Sequence, residues 1–480
     1  MKFYLKAILL YSTVAAIVLS IAVIRPYVTA GIKLSDTDKK VAAFYYGWYG
    51  NTTNFSQTGA VSIQDNANWI HWESAGYVPP VNACSTNTPT MGWYDSADPN
   101  LIQYHLESAA WAGIDAFVVS YWGNNSLERR NFIHMLQIAA AIKSPVKLSL
   151  YFEIFMNSLD KMPEKDAAAF LTGEFQSIYS IMTDPTYSDY VWMENGKPVL
   201  FVYVVQAISA NEWANAMAAL DALNVSFFLV GDRPGNQANY NQFFDAAHQY
   251  DVYAPTYRGK YLIDYMHIKQ SCATFDQVFI AGVAPGYDDH KVRPGNPPLD
   301  RQSGNTYRQS WSNAISLNPD WITITSWNEW HEGTEIEPSI ENGDLALNQT
   351  KLFIEEFKSG EYRVLRPVPN VYGNILYYFW LAVVGSIVLL AIFIFLLEVV
   401  LTAPPQDPNE VIIRGLKRGL SMLFQLEAWG ALLALFILEI LSAKFFEVTG
   451  TPWILLLPAT IFMQIIGTRL LYVKQKGGFR

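Results

Sequence analysis

Cysteine is almost missing from this 480-residue chain, which holds only Cys84 and Cys272. A chain this long buries a core without staples, so two cysteines exclude a disulfide scaffold and leave at most one bridge in an oxidising compartment. Charge is scarce as well, at 16% of residues with a formal net charge of -10. No Lys/Arg block interrupts the polar region, which argues against nucleic acid as a partner. There is no Cys/His cluster, no P-loop and no G-x-S-x-G elbow, and no G-x-G-x-x-G turn follows the first strand. No metal or cofactor is therefore expected. What the chain does have is apolar and aromatic mass, 51% and 15%, which excludes disorder.

The apolar excess sits at the two ends. Residues 7–24 carry no charge and follow Lys2 and Lys6. A signal peptide would end near Ala30, but the length of the run favours a retained anchor. Residues 375–397 are free of charge, 420–441 are broken by Glu427 and Glu439, and 453–468 form a third apolar stretch. The basic clusters Arg414, Lys417, Arg418 and Arg469, Lys474, Lys476, Arg480 then lie on the cytoplasmic side. Four spans place residues 31–372 outside the cytoplasm and make the lipid bilayer a partner. Asn51, Asn54, Asn124, Asn224 and Asn348 each open an N-x-S/T triplet, as suits an exterior location. The expected organisation is an anchor or signal peptide over 1–30, a polar domain over 36–370 and a membrane domain over 371–480.

Within the polar domain, β-rich apolar runs alternate with helical stretches. The runs are Val41–Tyr46, Ala116–Tyr121, Val146–Ile154, Pro198–Val205, Ser226–Val230, Val252–Tyr257, Gln277–Val283 and Trp321–Ser326. Helices are expected over Asn100–Trp111, Leu127–Ile142, Glu164–Met182, Glu212–Leu223, Tyr240–Gln249, Lys260–Ser271, Gly304–Leu317 and Ala346–Lys358. Eight strand–helix units argue for an α/β fold of the (β/α)8 barrel type, whose chemistry sits just beyond the carboxyl ends of the strands. Those ends are rich in carboxylates and flat rings and poor in bases, which suits sugars.

The densest segment leaves the eighth strand: Ile324–Glu337 (ITSWNEWHEGTEIE) holds two tryptophans, a histidine and four glutamates. Glu329 and Glu332 are three apart, so one turn presents both. Cleavage of a glycosidic bond needs one protonated and one ionised carboxyl group, and crowding plus burial separates two such pKa values. Two neighbouring glutamates are more often a solvated acidic loop. Here, however, they end a buried strand, between aromatic residues and beside a glycine. His331-Glu332 is no zinc motif, because the position of a second histidine is taken by Glu335.

Ser326–Pro338 (SWNEWHEGTEIEP) resembles the signature of glycoside hydrolase family 99, the endo-α-mannosidase family. Supporting pieces stand in order: Phe44–Asn51 (FYYGWYGN), Ile70–Trp72, Gly92–Pro99, Ala112–Trp122, Phe152–Glu153, Pro285–Asp289, Val292–Asn296 and Gly304–Tyr307. The resemblance spans about residues 40–360. It implies a barrel and an endo-acting hydrolase that cuts α-mannosides with retention. Glu329 would be the base acting on the 2-hydroxyl, which attacks its own anomeric carbon. Glu332 would be the acid and then the base that activates water. Glu153 would bind near the reacting sugar, and Tyr46, His71, Trp72, Tyr253, Arg293, Trp327, Asn328 and His331 would be substrate contacts. Two departures bear on the substrate rather than the reaction. Glu335 stands where the family commonly has glutamine, adding a charge near the pair or facing solvent. Gly295 stands where a tryptophan is expected.

Two other readings are a transglycosylase that keeps the fold and passes the sugar to another acceptor, and a silent glycan-binding barrel. The presence of both glutamates speaks against the second.

Overall fold

The computed structural model describes residues 39–51, 69–74, 76–158, 161–234 and 238–367. The chain divides into two units, Met1–Ile375 and Leu376–Arg480, and the described residues belong to the first. The apolar stretches at both ends of the sequence lie outside the described residues. Among the described residues, no helix is long and apolar enough to cross a membrane.

Eight parallel strands form the first unit's sheet: β1 (Lys40–Tyr45), β2 (Ala116–Tyr121), β3 (Lys147–Glu153), β4 (Lys197–Tyr203), β5 (Phe228–Asp232), β6 (Ala246–His248), β7 (Val278–Val283) and β8 (Trp321–Ile324). The order is β3-β2-β1-β8-β7-β6-β5-β4, and β3 pairs with β4 to close the barrel. A two-residue antiparallel strand, Met193–Glu194, folds onto the start of β4. The long helices are α1 (Pro99–Ala112), α2 (Leu127–Ile142), α3 (Glu164–Met182), α4 (Ala210–Ala222), α5 (Tyr261–Phe275), α6 (Asn305–Ser316) and α7 (Leu345–Ser359). Local chemistry starts them. Asp98 caps Asn100 N ahead of Pro99, Ser126 caps Arg129 N, and Ser209 with Glu212 forms a capping box.

The alternation of side chains along the strands builds two cores. Val41, Ala43 and Tyr45 of β1 pack outward with Phe117, Leu150 and Ile322 under the helices. Ala42 and Phe44 face inward with Val118, Tyr151, Phe201, Val230 and Ile280. The floor of the barrel is closed by rings: Trp321 lies 4.9 Å from Trp192 and 5.5 Å from Phe228.

One expected unit is misplaced. The sixth strand is Ala246–His248, which the pattern assigns to a helix, and Tyr253–Tyr257 is a short helix rather than a strand. Alanines carry no β signal, yet Ala246 is buried in the inward-facing cluster of the barrel and pairs with Val230 and Val278. Pro255 cannot donate to a ladder, and Asp251 Oδ1 accepts from Ala254 N at 2.9 Å to open the turn.

The cysteines do not pair. Both are free and buried. Cys272 lies under the start of β7, 3.6 Å from the Val278 carbonyl, whereas Cys84 sits at the opposite end, against the His71 carbonyl at 3.2 Å. Of the N-x-S/T asparagines, Asn124 is occupied, since its amide donates to Glu174 Oε1 at 2.8 Å.

Candidate active site

Inward parity continues past the strand ends and selects what faces the mouth. Phe44 is followed two residues on by Tyr46, Tyr151 by Glu153, Phe201 by Tyr203, Val230 by Asp232 and His248 by Tyr250. A ring of phenols and carboxyl groups therefore stands above the aromatic core.

The turn after β8 carries the two central glutamates. Ser326 N donates to Thr334 O at 2.9 Å, Ile336 N to Ser326 O at 3.0 Å and Glu337 N to Trp327 O at 2.9 Å, which closes the segment on itself. Ser326 Oγ receives Glu329 N at 2.7 Å. Asn328 ties the turn to β1, taking Tyr46 N at 2.7 Å and giving to Tyr46 O at 2.9 Å. A buried network stands behind: Trp330 Nε1 donates to Tyr94 Oη at 2.9 Å, and Tyr94 Oη donates to Glu337 Oε2 at 2.8 Å. His105 Nε2 lies 3.0 Å from Glu337 Oε1, with neither side chain reaching solvent. Removing one charged partner from a buried pair costs about 3–5 kcal/mol, so the turn is held rigidly.

Both glutamates are pushed up from the ordinary carboxyl range. For Glu329 burial is the main cause, followed by the charge of Glu332, and the rise is large despite Arg293 and the backbone N–H of His331. Burial also raises Glu332, but Arg293 opposes it most strongly. Arg293 Nη2 lies 2.7 Å from Glu332 Oε1, and Tyr250 Oη donates to Oε2 at 3.1 Å. Two carboxyl groups so placed titrate as a pair. In the unliganded pair, the proton favours Glu329. Burial pushes Glu153 up to about 8, offset by Ser120 and aided by the charges of Asp232 and Glu332, so Glu153 is a proton carrier at neutral pH. Asp232 is pushed up to about 6 by burial.

The far wall is aromatic. Trp48 stacks on His71 at 4.8 Å and lies 4.6 Å from Tyr46 and 5.2 Å from Trp122. His331 Nε2 faces the His71 carbonyl, which only accepts, so Nε2 carries the proton. Burial lowers His71 to about 4 and lowers His331 as well, so both rings are neutral. Nδ1 of His331 is left 3.7 Å from Glu329 Oε1.

The structure brings Glu329, Glu332, Glu153, Tyr46, Arg293, His71 and His331 to one mouth. It removes three expected contacts from it. Trp327 is fully buried outside the barrel wall against Phe117 and His105, because the turn reverses its parity. Trp72 is fully buried and stacks on Tyr49 at 4.0 Å. Asn328 is also fully buried, its amide spent on Tyr46 and Tyr94. All three support the site from behind. Tyr253 stands on the rim, stacked on Tyr287 at 4.1 Å, with its hydroxyl on Pro297 O. Glu335 neither faces solvent nor joins the pair: it is buried and bridges Arg301 at 2.6 Å and Asn87 at 2.8 Å. Tyr250 was missed because its strand was missed; inward parity from His248 would have found it. No cluster of three or more His, Cys, Asp or Glu fit to hold a metal occurs among the described residues.

A parallel barrel whose mouth holds paired carboxyl groups, one buried and one half-buried, in an aromatic trough defines a glycoside hydrolase. Residues 36–352 match the model of glycosyl hydrolase family 99, and the chain belongs to that family. It is similar to the glycoprotein endo-alpha-1,2-mannosidase of Rattus norvegicus, 24% identical over 337 residues that cover 62% of this chain and 68% of that one. The Mus musculus protein of the same name is 25% identical over 332 residues, covering 62% and 67%. The fold is similar to that of the GH99 endo-alpha-mannosidase from Bacteroides thetaiotaomicron, with a TM-score of 0.55 and 23% identity over 68% of this chain and 99% of that one.

Proposed function

We propose that the chain is an endo-acting, retaining hydrolase of α-mannosidic linkages in glycans outside the cytoplasm, tethered to a bilayer by its apolar end segments. The observation that carries this reading is the placement of Glu329, buried, and Glu332, half-buried, on one closed turn, with Arg293 and Tyr250 on Glu332 alone. That asymmetry gives the two carboxyl groups different partners and different work. The names of the mammalian relatives supply the sugar.

In the first step the Glu329 carboxylate takes the proton of the 2-hydroxyl, O2 attacks C1, and the C1–O bond to the leaving group breaks. Glu332 gives its proton to the departing oxygen. In the second step the Glu332 carboxylate takes a proton from water, the oxygen of that water opens the strained ring at C1, and Glu329 returns the proton to O2. Each carboxyl group ends as it began, and the anomeric configuration is retained. Glu153, protonated near neutrality, donates a hydrogen bond to the reacting sugar, and the Trp48–His71 wall stacks on a sugar face.

The test is turnover of defined α-mannosides, with the anomer of the first product followed by NMR. Glu329→Gln and Glu332→Gln should each lower kcat/KM by about a thousandfold or more, and Glu332→Gln should lose far less on a mannosyl fluoride, whose departure needs no acid. An inverted product, or sugar found chiefly on an added alcohol acceptor, overturns the reading.

A further inference from the structure

Glu332 has no unclaimed oxygen. Oε1 takes the Arg293 Nη2 donor at 2.7 Å, and Oε2 takes Tyr250 Oη at 3.1 Å. Tyr46 Oη donates to Tyr250 Oη at 2.6 Å, which directs the Tyr250 proton onto Glu332. A general acid needs one oxygen that bears a proton and is open to the leaving group, and a guanidinium on Oε1 with a phenol donor on Oε2 disfavours that proton. The arrangement suits the carboxylate of the second step better than the acid of the first.

Arg293 is itself held in place. Its Nε lies 2.9 Å from Asp289 Oδ2, and that oxygen also accepts from Tyr287 Oη at 2.8 Å and Asn296 Nδ2 at 3.0 Å. Asp289 is fully buried, whereas the Arg293 side chain is 54% exposed. The guanidinium thus bridges a fixed anchor and Glu332 from the open side of the site. Gly295, two residues on, has φ 122° and nothing within 4 Å of where a Cβ would stand, so the loop beside Arg293 is unencumbered.

The geometry points to Arg293 as a positioning residue that substrate displaces: Asp289 parks its guanidinium on Glu332 in the unliganded site, and a sugar entering on the leaving-group side draws it off, freeing Oε1 for a proton. No covalent bond changes at Arg293, which keeps its charge. Glu332 takes the proton that Glu329 holds in the unliganded site, which leaves Glu329 the carboxylate the first step needs; Glu332 passes that proton to the glycosidic oxygen as the C1–O bond breaks, and is then an anion to which Arg293 returns. The inference rests on the roles proposed for the two glutamates. Besides Arg293 and Asp289, the groups facing Glu332 are Tyr250 after β6, Tyr287 on the Arg293 loop, Glu329 on its own turn, and Glu153, Tyr203 and Tyr46 across the mouth. Arg293 is the cation among these, so its departure dominates the change.

The experiment compares pH profiles on the full chain with a mannoside whose leaving group is a sugar. The alkaline limb of kcat/KM follows Glu332 with Arg293 on it, and the limb of kcat follows Glu332 with substrate bound. In the wild type the kcat limb should lie about one pH unit or more above the kcat/KM limb, a tenfold change in ionisation. Arg293→Gln should raise the kcat/KM limb until the two coincide, and Arg293→Lys, which keeps charge without the two-pronged geometry, should fall between. Coinciding limbs in the wild type, a comparison that needs no variant, would overturn the inference, as would an unchanged gap in a folded Arg293→Gln. If Glu332→Gln still spares the mannosyl fluoride in either case, the glutamate roles stand and only the displacement fails.

Discussion

A single half-buried carboxyl group shows how position sets chemistry here. Glu153 ends a strand whose parity turns it into the mouth, and burial pushes it up to about 8, from an ordinary value near 4.5. The raised value means that the folded protein binds a proton the unfolded chain releases. Its contribution is fully present below pH 4.5 and is lost as pH rises through 8. Glu153→Gln should therefore match the wild type in thermal stability at pH 5 and exceed it at pH 9, by about 1–2 kcal/mol for a half-buried group. An equal melting temperature at pH 9 would show that Glu153 ionises without cost. The same residue marks what sequence can show: Phe152-Glu153 at a strand end is visible in the chain, but the proton is not, because desolvation depends on neighbours from Ser120 and Asp232 that only folding assembles.

The turn after β8 is the element in which chemistry and support are one structure. Gly333 has φ 60°, and a Cβ there would meet the backbone of Asp288 at 3.0 Å. Gly333→Ala should cost about 1–2 kcal/mol of stability. It should cost proportionally more in kcat than in KM, because Glu332 adjoins the displaced peptide; equal thermal melts and kinetics would show a pliable turn. The motif itself was legible, as was the placement of Glu329, Glu332 and His331 at the mouth. The placement of its other members was not. Trp327 and Asn328 read as substrate contacts, yet the turn folds Trp327 outward and spends Asn328 on Tyr46. Side-chain direction in a regular strand follows period two, but a closed turn has no period to extrapolate. Ala246–His248 failed for the opposite reason. A three-residue strand of small side chains leaves too little pattern, and Tyr250 was lost with it.

At the scale of the molecule, the barrel separates stability from reaction. Trp321, 2% exposed among Trp192 and Phe228, closes the floor, with Lys40 set 5.5 Å from its ring. Trp321→Ala should lose about 3–5 kcal/mol, seen as a lower melting temperature, while KM and the pH profile stay as in the wild type. A shifted pH profile would mean that floor and mouth are coupled. By itself the sequence determined the class of fold and singled out the pair of glutamates proposed to react, because alternating strand and helix patterns and a dense run of carboxylates and tryptophans are local properties of the chain. Only the tertiary structure decided which oxygen of Glu332 meets Arg293, which rings line the mouth and which stand behind, and how unlike the surroundings of the two glutamates are. Those depend on distances between segments hundreds of residues apart, such as Tyr46 and Asn328, and on a desolvation that no single segment can produce.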